Sequence, residues 1–133
     1  MNPLWEAAAR SGDLQRLKEL RAHGAPLDQL DRYGQTALML AAARGHAEVA
    51  RWLAECGANL NHTAKYGLSA LMLAVLRGHV DVARALLALG ADQTLRCAGS
   101  PGFDGKTALD LARDNSHPQL VELLNITSGE DHG

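Results

Sequence analysis

A chain of 133 residues is long enough for one domain or one short repeat array. Hydrophobic residues make up 47% and charged residues 21%, as in folded soluble proteins. The net charge of −2 excludes a bulk electrostatic attraction to nucleic acid. Aromatic residues are only 4% of the chain, so a core of Ala, Leu and Val favours closely stacked helices over a β-sandwich.

The lack of targeting signals and the small number of cysteines both indicate a cytoplasmic protein. The N-terminus lacks the basic region and apolar core of a signal peptide, and no apolar run reaches the roughly 20 residues of a membrane span. Cys56 and Cys97, the two cysteines, have no metal-binding spacing. We therefore expect free thiols and a cytoplasmic location, since secreted chains of this size usually carry several cysteines.

The first predicted unit covers about residues 2–30. Asn2 and Pro3 match the residues preferred at the cap and first position of a helix. Trp5 occupies the position of a core leucine in the later units, and we expect it to be buried. Gly24 closes the unit.

The second unit, residues 31–63, shows the helical signals clearly. Thr36 is a helix cap, residues 37–44 form a short helix, and Gly45 ends it. Residues 47–56 form a second amphipathic helix that stops at the next glycine. Two such short helices cannot bury their apolar faces alone, so further copies must stack on them.

The third unit is a copy of the second. Residues 64–96 align with residues 31–63 at a shift of 33 and are identical at 16 positions, which keeps the glycines in register. The Gly-His pair at Gly45 recurs at Gly78, and an extended hairpin over residues 59–66 joins the two units. A histidine that recurs once per unit is predicted to be a structural turn residue, too far from its copies to share a metal.

A fourth, atypical unit covers about residues 102–126. The shift grows to 38 there, so an insertion lies at about residues 97–102. Ser116 stands where the earlier units have glycine and must make the same turn. We expect residues 127–133 to form a disordered tail. The predicted fold is an all-α repeat solenoid of four stacked helix-turn-helix repeats with hairpin loops, one domain over residues 1–126.

These units resemble the ankyrin repeat family. The family motif Thr-Pro-Leu-His-x-Ala, a central Gly-His and a closing Gly-Ala-Asp have counterparts beginning at Thr36, Gly45 and Gly57, and again one repeat later. The sequence departs from the motif in two ways. Alanine replaces the proline at positions 37, 70 and 108, and the motif histidine is replaced by Met39, Met72 and Asp110.

The resemblance implies a protein-binding module that uses its hairpin tips and the concave face of its first helices. Carried onto this chain, the partner-binding positions are Arg32, Tyr33, Gln35, Arg44, Lys65, Tyr66, Leu68, Leu76, Arg77, Phe103 and Lys106. We expect Leu68 and Leu76 to be exposed apolar residues, as interfaces often have. The basic and aromatic character of this set suggests a partner protein with an acidic patch. The residues could instead solvate a face, and the tyrosines could brace neighbouring hairpins.

Two functions stay open. The first is a small adaptor or regulator that is monomeric alone, and the alternative is a structural or self-associating assembly subunit. No nucleophile–base set, phosphate loop or paired-carboxylate site is found in the sequence, so we predict no enzyme activity, no cofactor and no metal. Nucleic-acid and membrane binding are not expected. The insertion at residues 97–102 either contacts the partner or is a tolerated lengthening of a hairpin.

Overall fold

The computed structural model describes residues 1–128. Within these residues it contains eight α-helices and no β-strand. The helices are α1 Pro3–Ser11, α2 Leu14–Ala22, α3 Ala37–Arg44, α4 Ala47–Glu55, α5 Ala70–Arg77, α6 Val80–Ala88, α7 Ala108–Asp114 and α8 Pro118–Ser128. They form four antiparallel pairs. None of the helices in this part of the chain is both long and apolar enough to cross a membrane.

Side-chain caps define where the first helix of each pair begins. The Asn2 carboxamide oxygen accepts from the amide of Leu4 at 2.8 Å, and the Thr36 hydroxyl accepts from the amide of Met39 at 3.2 Å. Thr107 and Asp110 cap α7 reciprocally. Each bond satisfies an amide that has no partner inside its own helix, which stabilises helices of only seven to nine residues.

The pairs stack in sequence order. First helices pack on first helices along α1, α3, α5 and α7, and the second helices α4, α6 and α8 pack behind them. One continuous hydrophobic core runs through all four pairs. Trp5 is fully buried in it, as predicted, and Trp52 is half-buried against it.

Histidines connect consecutive helix pairs through hydrogen bonds. The Nε2 of His46 donates to the carbonyl oxygen of Arg10 at 2.8 Å, and the Nε2 of His79 donates to that of Ala43 at 3.1 Å. These two rings therefore have the structural role that their period predicted. His117 fills the same turn but makes no such bond within residues 1–128, and its buried Nδ1 has no partner.

Two predictions concern the C-terminal region, and only the one about the Ser116 turn is correct. Ser116 makes its turn with φ of 51°, in the left-handed region that the sequence required of it. Helix α8 includes Thr127 and continues to Ser128, so the prediction that a disordered tail begins at residue 127 is wrong. The remainder of that predicted tail, residues 129–133, lies outside the described residues.

Candidate binding surface

Two arginines mark the ends of the central first helices. Arg44 ends α3 and Arg77 ends α5, 33 residues later, at the same position of the repeat. Both side chains are exposed, and neither forms an ion pair within residues 1–128. Because α3 packs directly against α5, the two arginines occupy equivalent positions on adjacent first helices.

The hairpin before α3 is built around a buried carboxylate. Asp31 accepts from the amides of Tyr33 at 2.9 Å and Gln35 at 2.8 Å. Its second oxygen has no hydrogen bond but lies 3.7 Å from the Arg10 guanidinium, which is an ion-pair distance. This arrangement fixes the backbone and leaves the Tyr33 ring 60% exposed, with the Arg32 guanidinium 5.9 Å from its centre.

The hairpin before α5 is built differently. Ala64 occupies the position of Asp31, so the carboxylate acceptor is missing, and Lys65–Gly67 form a single 3₁₀ turn. Tyr66 adopts φ of 67°, a left-handed conformation that bulky residues rarely take. Its ring is 38% exposed and lies 4.9 Å from the Lys65 ammonium. The ring of His62 links the two hairpins by donating to the carbonyl oxygen of Gly34 at 2.9 Å.

The structure corrects the exposure predicted for Leu68 and Leu76. Both leucines are partly buried and pack against the core. Each repeat covers side chains of its neighbour, which a repeat considered by itself does not show. The two leucines are therefore packing residues, and their presumed exposure no longer argues for an interface.

The remaining predicted positions are less accessible than the two arginines. Gln35 and Phe103 are half-buried, and Phe103 packs on the core. The Lys106 ammonium is paired with the Asp114 carboxylate. The structure thus leaves six of the predicted positions exposed. We call these six residues the basic–aromatic face: Arg32, Tyr33, Arg44, Lys65, Tyr66 and Arg77.

The basic–aromatic face is electrostatically one-sided. Residues 31–46 and 64–79, the hairpins and first helices of the two central repeats, contain four Arg or Lys residues and one acid. That acid, Asp31, is buried beneath its own hairpin. The second helices behind them, residues 47–56 and 80–89, contain two arginines and three acids. Positive charge is therefore concentrated on the hairpins and first helices of the central repeats, although the whole chain is slightly acidic.

The insertion contacts this face, which the sequence did not reveal. Cys97 donates to the Lys106 carbonyl and accepts from the Gly105 amide, the same two bonds that Asp31 and Ala64 make in the earlier hairpins. The five additional residues are thus residues 98–102. The Ala98 amide donates to the Tyr66 carbonyl at 2.9 Å. No local signal in the inserted sequence specifies which neighbour it contacts.

The thiols are free, as predicted. Cys56 is exposed at the end of α4, whereas Cys97 is buried with its sulfur 3.7 Å from that of Met72. Burial raises the pKa of the Cys97 thiol, which disfavours the reactive thiolate form. Residues 1–128 contain no group of three His, Cys, Asp or Glu side chains arranged to hold a metal ion.

Comparison with known proteins agrees with this architecture. A model of ankyrin repeats, in three copies, matches residues 4–97, which is more than half of the chain. The chain therefore belongs to the ankyrin repeat family, whose members are in general protein–protein interaction modules and not enzymes. The fourth helix pair lies beyond the matched residues. A search of curated proteins found no match to this sequence.

Proposed function

We propose that this protein is a small adaptor or regulator that binds an acidic segment of a partner protein on its basic–aromatic face. The observation that carries the proposal is the one-sided charge. The hairpins and first helices of the central repeats present four exposed cations without ion pairs within residues 1–128, together with two exposed tyrosines. Arginine and tyrosine dominate binding hot spots because they combine contact area with rigid hydrogen-bonding groups.

The geometry supports an elongated contact. Arg44 and Arg77 repeat at the ends of adjacent helices, and Tyr33 and Tyr66 repeat at adjacent hairpins. An acidic stretch of the partner can therefore meet the same pair of chemical groups twice. Long-range attraction from the cations raises the association rate, while the rings supply area that excludes water.

The exposed free thiol of Cys56 supports a reducing compartment, and we place the protein in the cytoplasm. We further propose that it is monomeric until a partner binds and that α7 and α8 form a fourth repeat that caps the stack. Sedimentation at several protein concentrations tests the monomer proposal. A species that grows with concentration in the absence of a partner would favour an assembly subunit instead.

The binding proposal is tested by capture from a lysate with three baits. The first is the wild type and the second carries Tyr33→Ala, Tyr66→Ala and Arg77→Ala. The third carries Arg51→Ala and Arg84→Ala, which removes two exposed arginines that recur 33 residues apart on the second helices. We expect a protein to be captured by the first and third baits and lost from the second. Equal capture by all three baits would move the binding site away from the basic–aromatic face.

A further inference from the structure

The two central hairpins have the same Tyr-Gly sequence but different backbones. In the first, the Asp31 carboxylate holds the amides of Tyr33 and Gln35, and Tyr33 has an ordinary negative φ. In the second, alanine replaces that aspartate and Tyr66 has φ of 67°. A non-glycine residue stays in this region only where its surroundings hold it there.

The surroundings that hold Tyr66 come from residues 96–98, the segment at which the insertion begins. The Ala98 amide donates to the Tyr66 carbonyl at 2.9 Å. Gly67 packs so closely on the same segment that a Cβ there would lie 3.0 Å from the Arg96 carbonyl oxygen and 3.3 Å from the Ala98 nitrogen. A Cβ on Gly34, the equivalent glycine of the first hairpin, would meet no heavy atom within 4 Å.

The supporting segment is itself anchored. Cys97 is 2% exposed, and its backbone closes the hairpin through Lys106 and Gly105. The Asp104 carboxylate accepts from the Gly99 amide at 3.2 Å, which ties the inserted residues back to their own hairpin. Because the insertion is held in place by its own hairpin, it can hold the neighbouring hairpin in a fixed position.

We infer that residues 98–102 are a positioning element that fixes the backbone of Tyr66 and thereby the direction in which its ring meets a partner. The inference rests on the proposed function for its binding consequence, whereas its conformational part stands on the contacts alone. The first hairpin orients its tyrosine through its own aspartate, and the second relies on the next hairpin. Fixing a side chain before binding lowers the entropy lost on association.

Fluorine NMR tests the conformational part without any ligand. The chain has two tyrosines, so 3-fluorotyrosine gives two resonances, which Tyr33→Phe assigns. Gly67→Ala and Gly34→Ala carry nearly the same backbone strain, at φ of 71° and 75°, but only Gly67→Ala crowds the backbone of residues 96–98, where the insertion begins. We expect Gly67→Ala to shift the Tyr66 resonance and remove the hydrogen-exchange protection of the Ala98 amide. Gly34→Ala should leave both unchanged.

A second variant covers the case in which Gly67→Ala does not fold. Deletion of residues 98–102 restores the 33-residue spacing and keeps Cys97 in place. We expect the folded deletion variant to shift the Tyr66 resonance and to leave that of Tyr33 in position. A Tyr66 resonance that is unchanged in the folded deletion variant would overturn the inference.

The binding part uses a fluorescein-labelled oligoglutamate peptide as the probe. The deletion should weaken binding severalfold in the chain with Tyr66 and have no further effect in the Tyr66→Ala variant, because it acts through that ring. Equal weakening in both backgrounds would contradict the positioning role. Failure of the wild type to bind oligoglutamate would contradict the acidic-partner proposal, and the fluorine result decides the positioning inference independently.

Discussion

The imidazole of His79 lies directly against Gly45 of the preceding repeat. A Cβ on Gly45 would approach the Nδ1 of His79 to 2.7 Å, while the Nε2 of the same ring donates to the Ala43 carbonyl. The glycine thus has two functions, since it ends α3 in the left-handed conformation and leaves room for the ring. In the Gly45-His46 pair, the histidine therefore contacts the preceding repeat, whereas the glycine contacts the histidine of the following repeat.

We expect Gly45→Ala to be more destabilising than its backbone conformation alone requires. Gly34→Ala is the matched control, because φ is 75° there against 79° at Gly45 and the space around it is open. The control should cost about 1–2 kcal/mol in the free energy of unfolding, the strain of a left-handed alanine. Gly45→Ala should cost at least about 1 kcal/mol more, through overpacking against His79. Urea titrations of both variants measure the difference, and equal values would show that the ring moves aside freely.

Leu71→Ala should lower the free energy of unfolding by about 2–5 kcal/mol, because the side chain is 1% exposed in the core between repeats. Leu4→Ala is the control, as that helical leucine is 51% exposed, and it should change stability by at most about 0.5 kcal/mol. Thermal melts of the two variants check the predicted contrast. A Leu71→Ala protein that melts with the wild type would contradict the packing described for α5.

Tyr66→Ala should weaken binding of the captured partner by at least about 2 kcal/mol, roughly thirtyfold in Kd. The ring is partly exposed at a hairpin tip, so the circular dichroism spectrum should stay that of the wild type. Isothermal titration calorimetry provides the affinity. Unchanged affinity in a folded variant would remove Tyr66 from the binding surface.

Partner affinity should fall as salt is added, because the four cations of the basic–aromatic face are exposed and their attraction is screened within about 10 Å at 0.1 M ionic strength. The double variant Arg44→Ala, Arg77→Ala should show a flatter dependence of association rate on salt. Arg51→Ala with Arg84→Ala should keep the wild-type dependence. The same slope in all three proteins would argue against an electrostatic contact at the ends of α3 and α5.

Ser116→Gly should stabilise the protein by about 1 kcal/mol. Ser116 has φ of 51° at the turn where Gly45 and Gly78 stand in the earlier repeats, and glycine adopts this conformation without strain. Asn115→Gly, one residue earlier at φ of −89°, relieves no such strain and should not stabilise. Denaturant midpoints compare the two. If Asn115→Gly stabilised the protein and Ser116→Gly did not, the backbone strain would not lie at Ser116 and the prediction would be wrong.

The fold was predictable because its signals are local and recur. Thr36 and Gly45 bound α3 at the residues that their chemistry indicates, and the 33-residue period then carries those bounds to α5. The second helix was predicted to include Cys56, which the structure places just after the helix as its C-cap. Helix ends of this kind depend on one or two hydrogen bonds and shift easily.

The binding surface was predictable only in part, because exposure depends on what the next repeat covers. Arg44 and Tyr33 are exposed as expected, whereas Leu68 and Leu76 are partly buried against the core. The bond from Ala98 to Tyr66 joins segments 32 residues apart, and no periodic pattern specifies it. Contacts of that kind are set by the three-dimensional path of an irregular loop.

The ring of His117 makes the C-terminal junction of the stack different from the two that precede it. The first two junctions each have an imidazole bonded to a carbonyl of the preceding helix, while the third has a buried nitrogen without a partner within residues 1–128. In a linear array each unit is stabilised chiefly by its neighbours, so the weakest junction opens first. Unzipping should therefore begin at α7 and α8 and travel toward the N-terminus, with the basic–aromatic face of the central repeats among the later parts to be lost.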